Sequence, residues 1–166
     1  MRYAIVSDIH ANLYAWNAVL LDIRSDGADE IICLGDIVGY GPHPAEVLQS
    51  AHANVDHFVL GNHDAVIGRQ LDDSLFNDDA QATIRWTRDQ LNEEAVRFLQ
   101  GLPLVLDGGF FRCAHGEFSE PDAFRYIFEP EEAVASWNAV DDPILFVGHS
   151  HQPAIFLLGA SGTPRR

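Results

Sequence analysis

Nine polar residues of this 166-residue sequence sit where they could do chemistry: Asp8, His10, Asp36, Asn62, His63, Asp64, His115, His149 and His151. All of them come just after short apolar runs, at Tyr3–Ser7, Glu30–Leu34, His57–Leu60, Phe110–Ala114 and Ile144–Val147. Carboxylate oxygens and imidazole nitrogens together form a borderline donor set, suited to Zn, Mn, Fe, Co or Ni rather than to a Ca or Mg cage. Alternate residues of an extended turn point the same way, so Asp8 with His10, and His149 with His151, can reach a shared site. The candidates outnumber the four to six positions of one ion. Two divalent transition-metal ions sharing a bridging carboxylate, about 3.5–4 Å apart, accommodate them better. Such a pair would lower the pKa of a shared water. Any one of these short motifs alone reads as a cap or a surface turn; their coincidence at five strand ends is what signals a metal site.

The elements that must position these residues follow from periodicity. Short β-branched-rich runs alternate with helical patterns over the first hundred residues. Asn12–Arg24 places Leu13, Trp16, Leu20 and Ile23 at helical spacing behind Asn12 as N-cap, and Pro44–His52 is a shorter helix. This rhythm predicts parallel strands joined by crossover helices, whose C-terminal strand ends gather ligands. Asn77–Leu91 and Asn92–Gln100 read as two further helices with Asn caps. Beyond Gly101 come strands at Leu102–Leu106, Phe110–Ala114, Ile144–Val147 and Ala154–Leu158, with a hairpin at Gly108-Gly109 and a short helix over Glu131–Asn138. Asp72–Asp79 reads as a solvated loop. No repeat or linker interrupts residues 1–166, so a single domain is expected.

Composition narrows the function. Acidic residues number 25 against 10 basic ones, a net charge of −15, and every basic residue is Arg. Such a surface repels nucleic-acid polymers and anionic membranes. No run is long and apolar enough to span a bilayer, and the start reads as a first strand rather than a signal peptide. Cys33 and Cys113 both sit in apolar runs, as buried thiols of a cytoplasmic protein would. His43, His52 and His57 read as ordinary surface or turn residues, and Arg69 and Arg112 as ion-pair partners.

Asp8-x-His10, Gly35-Asp36, Gly61-Asn62-His63-Asp64, His115-Gly116 and Gly148-His149-Ser150-His151, in this order, resemble the calcineurin-like metallophosphoesterase superfamily. Gly35–Pro42 is similar to its small bacterial phosphodiesterase branch. Gly39-Tyr40 stand where protein phosphatases and symmetrical dinucleoside tetraphosphatases carry Asp-Arg, so that branch's phosphate-binding Arg is missing. The resemblance implies an α/β fold of two mixed β-sheets packed as a sandwich flanked by helices, four layers in all. It implies one ion on Asp8, His10 and His151, a second on Asn62, His115 and His149, and Asp36 bridging them. His63 would face the substrate as imidazolium and protonate the leaving group, with Asp64 orienting its ring. The expected activity is hydrolysis of a small phosphate ester, mono- or diester, with manganese among the candidate metals. A non-catalytic metal-binding scaffold on the same fold is the alternative.

Three departures qualify the resemblance. Ala11 replaces a usual Gly and is expected to alter the turn into the first helix. Glu117 follows His115-Gly116 and is expected to add negative charge near the second ion. The branch continues through further strands after the last His block, whereas 15 residues follow His151 here. Either the second sheet is abbreviated, with an unpaired edge open to homo-oligomer formation, or further residues follow Arg166 in the whole protein.

Overall fold

Alternation within the strands sorts the core into two apolar layers, one on each face of a central sheet. In the computed structural model, which describes residues 1–159 and 162–166, that sheet comprises β1 (Tyr3–Val6), β2 (Glu30–Cys33) and β3 (His57–Phe58), all parallel in this order. Parallel neighbours need crossovers, supplied by α1 (Leu13–Asp26) and α2 (Pro44–Asn54). Ala4, Val6, Ile31 and Cys33 pack against Trp16 and Leu20 of α1 and Val47 and Leu48 of α2. Tyr3, Ile5, Ile32 and Leu34 belong to the opposite layer, with Leu106, Phe111, Cys113 and Phe146.

Those last four residues belong to or flank the second sheet, β4 (Val105–Asp107), β5 (Arg112–Ala114) and β6 (Leu145–Val147). β4 and β5 are antiparallel around Gly108-Gly109, and β5 and β6 are parallel, so the mixed character of the sandwich lies here. Among the described residues β6 is an edge strand. The two sheets meet face to face, with the Tyr3 and Phe111 rings edge-on at 5.2 Å. The expected two-sheet α/β sandwich is the observed one.

Local signals account for the helix starts. Asn12, Asn77 and Asn92 each accept from the N–H three residues on, at 3.1, 3.0 and 2.8 Å, opening α1, α4 (Asp78–Gln90) and α5 (Glu93–Gln100). Other boundaries differ from expectation. The Gly61–Asp64 block opens a short helix, α3 (Asn62–Ile67), instead of remaining a turn. The late helix is α6 (Val134–Ala139), and the expected Ala154–Leu158 strand shortens to β7 (Leu157–Leu158), paired with β8 (Pro164–Arg165). Ala160 and Ser161 lie outside the described residues. Cys33 and Cys113 are buried free thiols, and no helix of the described residues is long and apolar enough to cross a membrane.

Candidate metal centre

The strand pairing continues past the strand ends into the loops that carry the chemistry. Asp8 N donates to Gly35 O at 3.0 Å, His10 N to Asp36 O at 2.9 Å and Ala11 N to Ile37 O at 2.9 Å. On the second sheet Gly148 N donates to His115 O at 2.9 Å. These turns are strained. Asp8, His10, Ala11, Asp36, Tyr40, His149 and His151 all have φ between 47° and 67°, seven of the nine non-glycine residues with positive φ among those described. Each such residue costs about 1–3 kcal/mol and persists only where the surroundings over-determine it. Crowding accounts for two of the motif glycines: a Cβ on Gly61 would strike the backbone N and Oδ1 of Asp36, and one on Gly148 would strike the Ser7 hydroxyl.

One half of the site is buried. Asp36 Oδ2 lies 3.3 Å from His115 Nε2, with the two side chains 2% and 0% exposed. His115 Nδ1 donates to Leu34 O at 2.7 Å, which turns Nε2 toward Asn62 Oδ1 at 3.1 Å and His149 Nδ1 at 3.2 Å. His149 hydrogen-bonds the Phe124 backbone, leaving its Nδ1 to face His115. Burial alone would raise the Asp36 carboxyl, but His115, His63 and His10 outweigh it and hold Asp36 well below the usual carboxylate range. Burial likewise opposes the His115 imidazolium, yet Asp36 prevails and pushes it up to about 9. For His149, burial and the neighbouring His115 outweigh Asp36 and Asp8 and bring it down to about 4.

The other half is more open. His10 Nδ1 donates to Val38 O at 3.2 Å and its Nε2 faces His151 Nε2 at 3.0 Å. His151 Nε2 is 3.2 Å from Asp8 Oδ1, with the His151 side chain 52% exposed. Asp8 Oδ2 accepts from His149 N at 3.0 Å, while Oδ1 is buried without a hydrogen-bond partner. Asp36 joins the halves, since Oδ2 is also 3.6 Å from His10 Nε2.

His63 and Asp64 depart from their expected roles. Asp64 is fully buried, and its carboxylate accepts from Ile37 N at 3.0 Å, Val38 N at 3.2 Å and Gly61 N at 3.3 Å. It clamps the loop that carries Asp36 and does not orient the His63 ring. The reason is geometric: both residues begin α3, where successive side chains diverge by about 100°. Burial and the Asp36 charge push Asp64 up to about 7, against those donors. The His63 ring is held by rings instead: Tyr40 at 4.4 Å, His10 at 5.0 Å and Phe76 at 5.2 Å. Its Nδ1 is buried and unpartnered, and burial lowers it to about 4, so it is neutral rather than an imidazolium at neutral pH.

Three contributors were invisible in the sequence. Phe76, from the acidic stretch read as a solvated loop, packs on His63. Phe124 supplies the backbone contact to His149 from a left-handed φ of 47°. Tyr126 stacks on His149 with ring centroids 3.8 Å apart and planes 14° apart. Glu117 shapes this last loop: its buried carboxylate accepts from Ser119 N at 3.1 Å, Glu120 N at 3.0 Å and Arg125 Nη1 at 2.9 Å. Its charge is thus spent on Arg125 and the turn rather than offered to a second ion. Ala11 keeps the turn into α1 by adopting φ 53° itself. Arg112 pairs with Asp142 at 2.6 Å, as its sequence setting suggested, and the His43 and His57 rings lie 3.7 Å from Glu46 and 3.4 Å from Glu30.

The donor chemistry fits cations. His10 and His115, donating from Nδ1 to carbonyls, aim Nε2 lone pairs at other acceptors, an arrangement that repels itself unless a proton or a metal lies between. The orphaned Asp8 Oδ1 is a further acceptor without a donor. Potential ligand atoms of Asp8, His10 and His151, and those of Asp36, His115 and His149, all lie within 4.8 Å of one another in each set. His10, Asp36 and His63 form a third such set between them.

The calcineurin-like phosphoesterase family matches residues 1–163. The chain belongs to it. A metallophosphoesterase from Sphaerobacter thermophilus is 39% identical and superposes with a TM-score of 0.79, covering 91% of this chain and 61% of that one. An uncharacterized protein of Methanocaldococcus jannaschii is 39% identical over 157 residues, 92% of this chain and 63% of the relative. A hypothetical protein from Pyrococcus horikoshii, 20% identical, shares the fold with a TM-score of 0.73 over 96% of this chain and 73% of its own. The chain therefore spans less than two thirds of the length of its Sphaerobacter and Methanocaldococcus relatives. Calcineurin-like phosphoesterases use divalent metals, and the histidine and aspartate clusters of this chain are capable of binding them.

Proposed function

We propose that residues 1–166 act as one domain that hydrolyses small phosphate esters with two divalent transition-metal ions, manganese among them, in the cytoplasm. The supporting observation is the pair of three-residue donor sets, one containing Asp36 and the other 3.6 Å from it at His10, on turns rich in positive-φ residues. Asp8, His10 and His151 would hold one ion, and Asn62, His115 and His149 the other, with Asp36 between. When bound, the two ions supply a hydroxide at neutral pH and positive charge for phosphoryl oxygens. The chain's own residues do the rest. Val38, Leu34 and Phe124 fix the three imidazoles through their backbones. Asp64 fixes the turn bearing Asp36. His63, neutral while the cleft is empty, gains proton affinity when an anionic ester provides the negative charge that burial withholds, and passes that proton to the departing alkoxide. A net charge of −15 disfavours long polyanions and membranes, so the substrate is a small ester drawn to a locally positive spot.

The test is hydrolysis of bis-p-nitrophenyl phosphate and p-nitrophenyl phosphate by metal-stripped protein resupplied with Mn, Ni, Zn or Fe. Turnover should depend on added metal and fall by roughly 10²–10⁴-fold in His63→Ala. Full metal occupancy without turnover of either ester would overturn the hydrolytic reading.

A further inference from the structure

Two large rings stand at the mouth of the metal cleft without being needed by either donor set. Tyr40 is 56% exposed, yet its ring lies 4.7 Å from His10 and 4.4 Å from His63. Its φ of 55° is costly for a bulky aromatic residue, and the exposed ring gains little burial in return. Tyr126 is 51% exposed and stacks on His149, with Phe128 stacked on it at 5.1 Å and 11°. Tyr40 thus flanks the His10–His63 side and Tyr126 the His149 side.

The sequence has no Lys, and four of its arginines are engaged by carboxylates outside the centre: Arg88 with Asp73, Arg97 with Glu93, Arg112 with Asp107 and Asp142, and Arg125 with Glu117 and Glu120. Among the described contacts no arginine pairs with a residue of the centre. Beyond the metals, the exposed rings of Tyr40 and Tyr126 are therefore what these turns offer a substrate. Aromatic faces recognise flat, polarisable groups by stacking, and they do so without hydrogen-bond readout.

We infer that Tyr40 and Tyr126 form an aromatic rim that binds the organic group of the substrate, so that this chain prefers phosphate esters of aromatic or heteroaromatic groups over those of simple alkyl alcohols. This rests on the hydrolytic reading above, and deepens it from ester to class of ester. The rings would grip the group attached to phosphorus while the donor sets and His63 handle the phosphoryl centre.

The experiment uses the metal-loaded full chain and two kinds of probe. Inhibition of bis-p-nitrophenyl phosphate hydrolysis is compared for phenylphosphonate and methylphosphonate, which differ in the ring and are not hydrolysed. Phenylphosphonate should bind about 5–100-fold more tightly, the range that stacking on one or two rings provides. That preference should collapse in Tyr40→Ala and Tyr126→Ala and survive in Tyr40→Phe and Tyr126→Phe, because the ring and not the hydroxyl carries it. Equal inhibition by both phosphonates in an active wild-type protein would overturn the rim and leave the hydrolytic reading standing. A preference unchanged in both alanine variants would do the same. Absence of all metal-dependent turnover would instead strike the hydrolytic reading on which the rim rests. Phosphonate binding to that inactive, metal-loaded protein, read by calorimetry, would then decide the rim by itself.

Discussion

The two halves of the centre are built from similar side chains but in opposite surroundings. Asp36 and His115 are 2% and 0% exposed, locked by His63 N and the Leu34 carbonyl. Asp8 and His10 are 12% and 11% exposed, and their partner His151 is 52% exposed on a turn after an edge strand. A buried, pre-oriented set holds an ion by low dielectric and fixed geometry, whereas an open set competes with water at every ligand. The contrast predicts one tight ion and one exchangeable ion.

The largest expected effect comes from removing what the halves share. Asp36→Asn should weaken both ions together and lower metal-dependent turnover on the order of 10³-fold, the several kcal/mol that metal charge contributes. Loss of only one ion, seen by metal analysis, would show that Asp36 does not bridge. Separating the halves comes next. His115→Ala should abolish tight binding, whereas His151→Ala should weaken only the exchangeable ion, by about 10–100-fold, with the tight one retained. Equal losses in calorimetric titration would break the contrast.

Acidity gives a third and smaller distinction. His115 in the metal-free chain is raised to about 9 by Asp36, so the buried half must release a proton to bind a cation below that pH. Its affinity should fall by up to about tenfold per unit as pH drops from 9 toward 7. His10 is lowered by burial and already neutral over that range, so the open half should change little at its hands. The same shift has a stability consequence: a raised imidazole contributes stability present below pH 6.5 and lost as pH rises through 9, so the metal-free chain should weaken over that interval in urea melts. The smallest effect concerns Ala11, which is fully buried at φ 53°. Ala11→Gly relieves left-handed strain as it removes a buried methyl, and should leave stability within about 0.5 kcal/mol. Ala65→Gly inside α3 should cost about 1 kcal/mol.

What the sequence disclosed follows the same division. The donor residues were legible because metal chemistry requires His, Asp and Asn at strand ends, a requirement that survives without knowledge of packing. Asn12, Asn77 and Asn92 were legible as caps because a cap is a local interaction. Phe76, Phe124 and Tyr126 were not, because each acts through the path of a loop and carries no local signal. Asp64 misled because its role was carried over from its place in the family motif, whereas α3 turns its side chain away from the His63 ring. That helix itself was hidden: six residues are under two turns, too few for a 3.6-residue period to declare itself. The short strands were overextended for the opposite reason, since apolar runs continue past the last ladder hydrogen bond.

The central claim is a two-ion centre of unequal halves joined by Asp36. Isothermal titration of the metal-stripped chain with Mn, followed by turnover of bis-p-nitrophenyl phosphate in the same samples, tests it most directly. The account predicts two equivalents, one tight and one weaker, with activity rising only as the second binds. A single equivalent, or activity complete before the second ion binds, would contradict it.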